Sequence, residues 1–194
     1  MTVIVVLILV VGGIIFLLKS QGGRLSKTGV ASSPAIEQGG SGQMKLTSNA
    51  FENNQFIPAK YTCDGEDIVP PFSISGIPNG TKSLALIVDD PDSPSGDWVH
   101  WLVWNINPEA GEIAEGTVPD GTTEGMNDFG KVGWGGPCPH SGTHHYQFKL
   151  YALDTILNLG SSAIKRDVES AIEGHILDQA VLVGLYGEKS AIDN

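Results

Sequence analysis

Residues 144–153, HHYQFKLYAL, alternate with a period of two. His144, Tyr146, Phe148 and Leu150 share one face, and His145, Gln147, Lys149 and Tyr151 share the other, the pattern of a strand with one side on a core. Helical geometry would bring neither set together, so this segment commits the chain to a sheet. Residues 82–89 (KSLALIVD) form a continuous apolar run of strand length, suited to a strand buried on both faces. Residues 99–106 (VHWLVWNI) are rich in β-branched and aromatic side chains, and 180–186 (AVLVGLY) complete the set. One helix is expected over 162–177, capped by Ser162, with Ile164, Val168, Ala171, Ile172 and Ile176 in a helical stripe. Strands in series with one late helix predict a mainly β chain, an antiparallel two-sheet β-sandwich with small peripheral helices.

Ahead of this domain lies an uncharged run at 2–18, TVIVVLILVVGGIIFLL. As a helix it would reach about 25 Å, the short end of what crosses a bilayer. It lacks the charged leader and the A-x-A-like cleavage site of a secretory signal peptide, so an N-terminal hydrophobic helix over 1–19, a transmembrane or signal-anchor segment, is the preferred reading. Residues 20–43 are dominated by Gly, Ser and other small residues and read as a flexible linker, with the domain spanning 44–191. Lys19, Arg24 and Lys27 follow the run, which by the positive-inside tendency puts the domain in the cytoplasm. A disulfide would put it outside. The expectation is a single-pass, membrane-anchored protein with an extracytoplasmic domain.

The formal net charge is -11, and three of the eleven basic residues lie before residue 44, so the domain itself is strongly acidic. Such a surface repels phosphate backbones, which argues against nucleic acid as a partner. Any anion must be held by a local cluster. Cys63 and Cys138 are the only cysteines, and two readings stand open: a pair of unbonded small hydrophobes, or one disulfide joining two loops. No C-x-x-C spacing points to structural zinc or redox chemistry. With no G-x-S-x-G, P-loop or H-E-x-x-H, the chain is read as a non-enzyme that needs no cofactor.

All four tryptophans and four of the five histidines fall between residues 98 and 145. The first cluster is DDPDSP at 89–94, followed by Trp98 and His100, two apart and therefore on one face of a strand. The second is GPCP at 136–139, followed by His144, His145 and Tyr146. Asp90 could hold one imidazole while two imidazoles and the Tyr146 hydroxyl offer hydrogen bonds to an anion.

Residues 89–106 (DDPDSPSGDWVHWLVWNI) and 127–154 (NDFGKVGWGGPCPHSGTHHYQFKLYALD) resemble the two signature regions of the phosphatidylethanolamine-binding proteins, also called Raf kinase inhibitor-like proteins. Residues 61–88 and 172–188 resemble flanking segments of the bacterial and archaeal branch, so the resemblance covers essentially 44–190. It implies a small surface pocket for phosphate-like anions, phospholipid head groups included. On these positions the ligand-binding set would be Asp90, Trp98, His100, Pro137, Pro139, His144 and Tyr146. The implied role is regulatory, restraining a kinase or serine protease. Two departures stand out: His140 replaces a usual proline, and His145 replaces a usual arginine. One alternative is a metal-dependent hydrolase with Asp90, His100 and His144 as a two-His-one-carboxylate set.

Overall fold

The computed structural model describes residues 43–187. The hydrophobic helix expected at 1–19 and the linker at 20–42 lie outside those residues. Among the described residues no helix is long and apolar enough to cross a membrane. The expectation of a membrane-anchored, single-pass protein is corrected to a described domain, residues 43–187, that carries no membrane-spanning helix.

Among the described residues nine strands and one α-helix follow one another: β1 Lys45–Thr47, β2 Gln55–Phe56, β3 Phe72–Ser75, β4 Ser83–Asp90, β5 Trp98–Ile106, β6 Glu112–Ile113, β7 Thr123–Glu124, β8 Thr143–Leu153, α1 Lys165–Ile172 and β9 Ile176–Gly187. They form a three-stranded sheet, β1-β3-β6, and a six-stranded sheet, β2-β9-β8-β4-β5-β7. The paired strands run antiparallel except β2 with β9, which is parallel.

The continuous apolar character of β4 has a direct cause, because the strand is covered on both sides. Leu84, Leu86 and Val88 join a core with Leu46, Phe72, Ile74 and Ile113 of the small sheet. Ala85 and Ile87 face the opposite way and pack with Leu157, Ala163, Val168 and Ile172 under α1. On β8 the expected parity is observed, with Tyr146, Phe148 and Leu150 fully buried on the inter-sheet side.

The helix is shorter than its apolar stripe suggests. Ser162 does not cap it; Ile164 precedes the first turn, and its N–H donates to the Asp167 carboxylate at 3.1 Å. Gly174 then takes φ +79°, a left-handed conformation that ends helices, and Ile176 already belongs to β9. Ile176 is exposed rather than part of the buried stripe.

Candidate functional site

Strand β5 carries an irregularity that shapes the site. Val88 of β4 pairs with Trp101, but the next residue, Asp89, pairs with Val99, so His100 is an extra residue in the ladder. Such a bulge re-aims side chains. Because of it His100 and Trp101 both turn toward the inter-sheet side, Trp101 into the core and His100 into a cavity beside it. Asp90 pairs with Trp98 at the end of the same ladder.

The cavity encloses about 360 Å³. Asp90, Trp98, His100, Pro139, His144 and Tyr146 line it, residues contributed by β4, β5, β8 and the 135–142 segment. Pro137 is the exception: it is buried, does not line the cavity, and its carbonyl accepts a 3.1 Å bond from the Cys63 N–H. Cys63 and Cys138 form a disulfide with 5.5 Å between Cα atoms, tying the turn after residue 61 to the cavity lining, to which the exposed Cys138 contributes.

Hydrogen bonds tie down Asp90, His144 and His100 on the wall. His144 donates from Nδ1 to Asp90 Oδ2 at 2.7 Å, while Asp90 Oδ1 accepts the Asp92 N–H at 2.9 Å. His100, only 2% exposed, has its Nδ1 at 2.6 Å from the Gly135 carbonyl oxygen. An unprotonated ring nitrogen cannot bond a carbonyl oxygen, so Nδ1 carries the hydrogen. Burial pushes the His100 pKa below the ordinary imidazole value, against the opposing pull of the Gly135 carbonyl, the Asp90 charge, the Gly136 carbonyl and Asp89. A depressed pKa means that the unfolded chain takes up a proton first, so the stability tied to His100 is lost as pH falls through the imidazole range.

Tyr146 stands between the two imidazoles, edge-on to His100 at 5.1 Å and stacked with His144 at 6.4 Å between ring centroids. Its hydroxyl is buried with no hydrogen-bond partner; the Cys138 amide lies in its neighbourhood without completing one. Burial, and then the Asp90 charge, hold the phenol well above its usual pKa, so it remains a donor. An orphaned polar atom of this kind costs about 1–3 kcal/mol unless a solute supplies the missing partner.

Sequence reasoning missed Phe129. It forms a wall of the cavity, edge-on to Trp98 at 5.5 Å and to His100 at 5.2 Å, and is 43% exposed. Buried Asn127 shapes the turn that presents it: its Oδ1 accepts from the Phe129 and Lys131 N–H groups at 3.1 and 3.2 Å, and its Nδ2 donates to the Gly133 carbonyl at 2.8 Å. A Cβ on Gly135 would lie 2.6 Å from the Phe129 ring, so glycine is needed there for close approach. The available signal was an aromatic two residues after an asparagine in a glycine-rich loop.

The acidic turn at 89–97 is accounted for one carboxylate at a time. Asp89 takes Lys149 and Lys165, Asp90 takes His144, Asp92 takes His145, and Asp97 takes Lys165. The His145 backbone N–H and ring Nδ1 both donate to Asp92 Oδ2, at 2.8 and 2.7 Å. These bonds hold the Asp92 carboxyl below the usual carboxylate range. His145 thus faces away from the cavity yet latches the loop whose Ser93, Pro94 and Ser95 form one of its walls. His145→Ala is expected to speed amide hydrogen exchange in residues 93–96 by up to about fivefold, in keeping with about 0.2–1 kcal/mol for an exposed pair. His145→Arg should restore protection, and unchanged exchange in the alanine variant would contradict the latch.

Comparison with known proteins accords with this architecture. Residues 47–187 match the phosphatidylethanolamine-binding protein family. A UPF0098 protein from Methanothermobacter thermautotrophicus is 52% identical over 148 residues, 74% of this chain and 98% of that protein. Another, from Pyrococcus horikoshii, is 50% identical over 161 residues, 78% of this chain and 81% of that protein. The matched domain makes up almost the whole of the Methanothermobacter protein, so membrane anchoring is not carried into the functional reading. Among solved structures, a phosphatidylethanolamine-binding protein homologue from Chlamydia trachomatis superposes with a TM-score of 0.73 at 41% identity, covering 76% of this chain and 99% of that one. Escherichia coli YbcL, described as a member of the mammalian family, gives 0.72 at 32% identity over 76% of this chain and 100% of that one. On this breadth of match, with the two signature regions meeting at one cavity, the chain belongs to the phosphatidylethanolamine-binding protein family.

Proposed function

We propose that this chain binds a phosphate-like anion, the class that includes phospholipid head groups, in the cavity bounded by Asp90, Trp98, His100, Pro139, His144 and Tyr146, without catalysing a reaction. One observation carries the reading: side chains from two distant segments, Asp90, Trp98, His100, His144 and Tyr146, line one cavity, and the buried Tyr146 hydroxyl, with an imidazole on either side of its ring, has no partner. A bound oxyanion supplies the acceptor that this hydroxyl lacks. Protonation of His144 adds a second donor through Nε2, and its positive charge is offset by Asp90. Occupancy of the cavity serves a regulatory or inhibitory role toward a protein partner, a kinase or serine protease by family resemblance.

The metal-dependent alternative has less support. Asp90 and His144 are bonded to each other, and His100 has committed Nδ1 to a carbonyl oxygen. Among the described residues no group of three His, Cys, Asp or Glu side chains is arranged to hold a metal ion.

Three or four charge-assisted hydrogen bonds at about 1.5–3 kcal/mol each, less the losses on binding, support only modest affinity. Calorimetric titration with inorganic phosphate from about pH 5.5 to about pH 8, bracketing imidazole ionisation, should show affinity falling as pH rises. His144→Ala should weaken binding at the acid end by about tenfold, the loss of one charge-assisted bond. A flat pH profile in the wild type would defeat the reading.

A further inference from the structure

We infer that Trp98 and Phe129 form an apolar subsite beside the anion site, that it receives a carbon substituent esterified to the bound phosphate, and that Phe129 sets the preference for such esters. This rests on the anion-binding reading and adds the part of the ligand that the polar groups leave undefined.

A phosphate ion alone leaves most of the space unfilled. Its five heavy atoms take up roughly the volume of three waters, about 90 Å³ at about 30 Å³ each. The cavity encloses about 360 Å³. The groups suited to an oxyanion are the unpartnered Tyr146 hydroxyl and His144 when protonated. The same lining includes the rings of Trp98 and Phe129 and the prolines Pro94 and Pro139. Water against such surfaces gives up hydrogen bonds, so an apolar group that displaces it gains affinity. Small-molecule sites commonly join a mostly apolar lining to a few polar groups that fix orientation.

A chain of ring contacts leads from the anion groups to the subsite. His144 stacks with Tyr146 at 6.4 Å between centroids, and Tyr146 meets His100 edge-on at 5.1 Å. His100 meets Phe129 at 5.2 Å, and Phe129 meets Trp98 at 5.5 Å. A phosphoryl group held at Tyr146 thus has Phe129 two ring contacts away, and a short carbon chain on its ester oxygen reaches that ring. Phe129 is also held in place before any ligand arrives. Buried Asn127 fixes its loop through bonds to backbone groups, and the ring packs so closely on Gly135 that a Cβ there would lie 2.6 Å from it. A ring so fixed, yet 43% exposed, loses little rotamer freedom when a ligand covers it. A phospholipid head group with its glycerol carbons fits this description, and so does a free alkyl phosphate. Carbon esterified to phosphate is the shared chemistry.

The test uses matched pairs, methyl against butyl phosphate and dimethyl against dibutyl phosphate, titrated into the full chain at about pH 5.5, below the ordinary imidazole ionisation. Within each pair the charge is the same, so a difference in affinity reads the added methylenes. A fully buried methylene is worth about fourfold in affinity. Three of them, partly buried on an open wall, should make butyl phosphate bind about tenfold more tightly than methyl phosphate. Phe129→Ala should bring that ratio toward one, and Phe129→Leu, still apolar, should retain most of it. In the wild type, nuclear Overhauser contacts are expected between the butyl methyl protons and the rings of Phe129 and Trp98, a readout that needs no variant. A gain in the diester pair as well identifies a lipid-type phosphate, a gain confined to the monoesters identifies a free phosphate ester, and both support the subsite. Equal affinity within both pairs overturns the subsite and leaves anion binding standing. Absence of binding by all four overturns both. An unchanged butyl-to-methyl ratio in Phe129→Ala, or butyl protons that contact neither ring, overturns the assignment to Phe129.

Discussion

Replacing Asp89 by alanine is expected to destabilise the fold by about 3–5 kcal/mol, the range for stripping one partner from a buried ion pair. Asp89 is 0% exposed, at the end of β4, on the face opposite the cavity. Its Oδ2 accepts from Lys149 at 2.8 Å and from Lys165 at 2.6 Å, and its Oδ1 has no partner. Burial alone would lower the Lys165 pKa; the bonds to Asp89 and Asp97 outweigh it and hold the ammonium charged at neutral pH. Without Asp89 two largely buried ammonium groups face each other with less counter-charge, and the first turn of α1 loses its tether to the sheet. Urea unfolding of the variant beside the wild type measures the loss. A difference below about 1 kcal/mol would mean that the cluster behaves like a surface pair.

Removing the Cys63–Cys138 disulfide comes next in size. The two residues are 75 apart in sequence. The chain-entropy argument gives about 4.5 kcal/mol for a loop of that length, and about 2–4 kcal/mol is the usual yield. The double variant Cys63→Ala, Cys138→Ala should lower the urea midpoint accordingly, as should reductant on the wild type. The bond also anchors the segment carrying Pro139 and His140, so the cavity wall should loosen before the core does. Its amides should gain exchange while those of β4 stay protected. Equal midpoints with and without the bond would contradict this.

Much of the fold was legible because the strands obey simple periodicities. The two-residue alternation of 144–153 survives in β8 side chain by side chain, and the unbroken apolar run of β4 reports a strand covered on both faces. The convergence of Asp90, Trp98, His100, His144 and Tyr146 was legible from two signature segments. Three features were not. The bulge at His100 is a matter of pairing between strands, and no local pattern in β5 announces it. The helix ends early because Gly174 adopts a left-handed conformation, whereas the apolar stripe continues to Ile176 in sequence only. The protonation pattern of His100 depends on a carbonyl 35 residues away. Parity gave the outward direction of His145, but its bond to Asp92 is a tertiary contact across 53 residues.

The central claim is that a solute oxyanion enters the cavity and meets the unpartnered Tyr146 hydroxyl. Titrating isotope-labelled protein with inorganic phosphate while recording backbone and imidazole resonances tests it most directly. The account predicts saturable shifts concentrated at Asp90, His100, Phe129, Cys138, His144 and Tyr146, lost together in Tyr146→Phe. Shifts scattered over surface lysines, or none at concentrations that saturate ordinary weak anion sites, would contradict it.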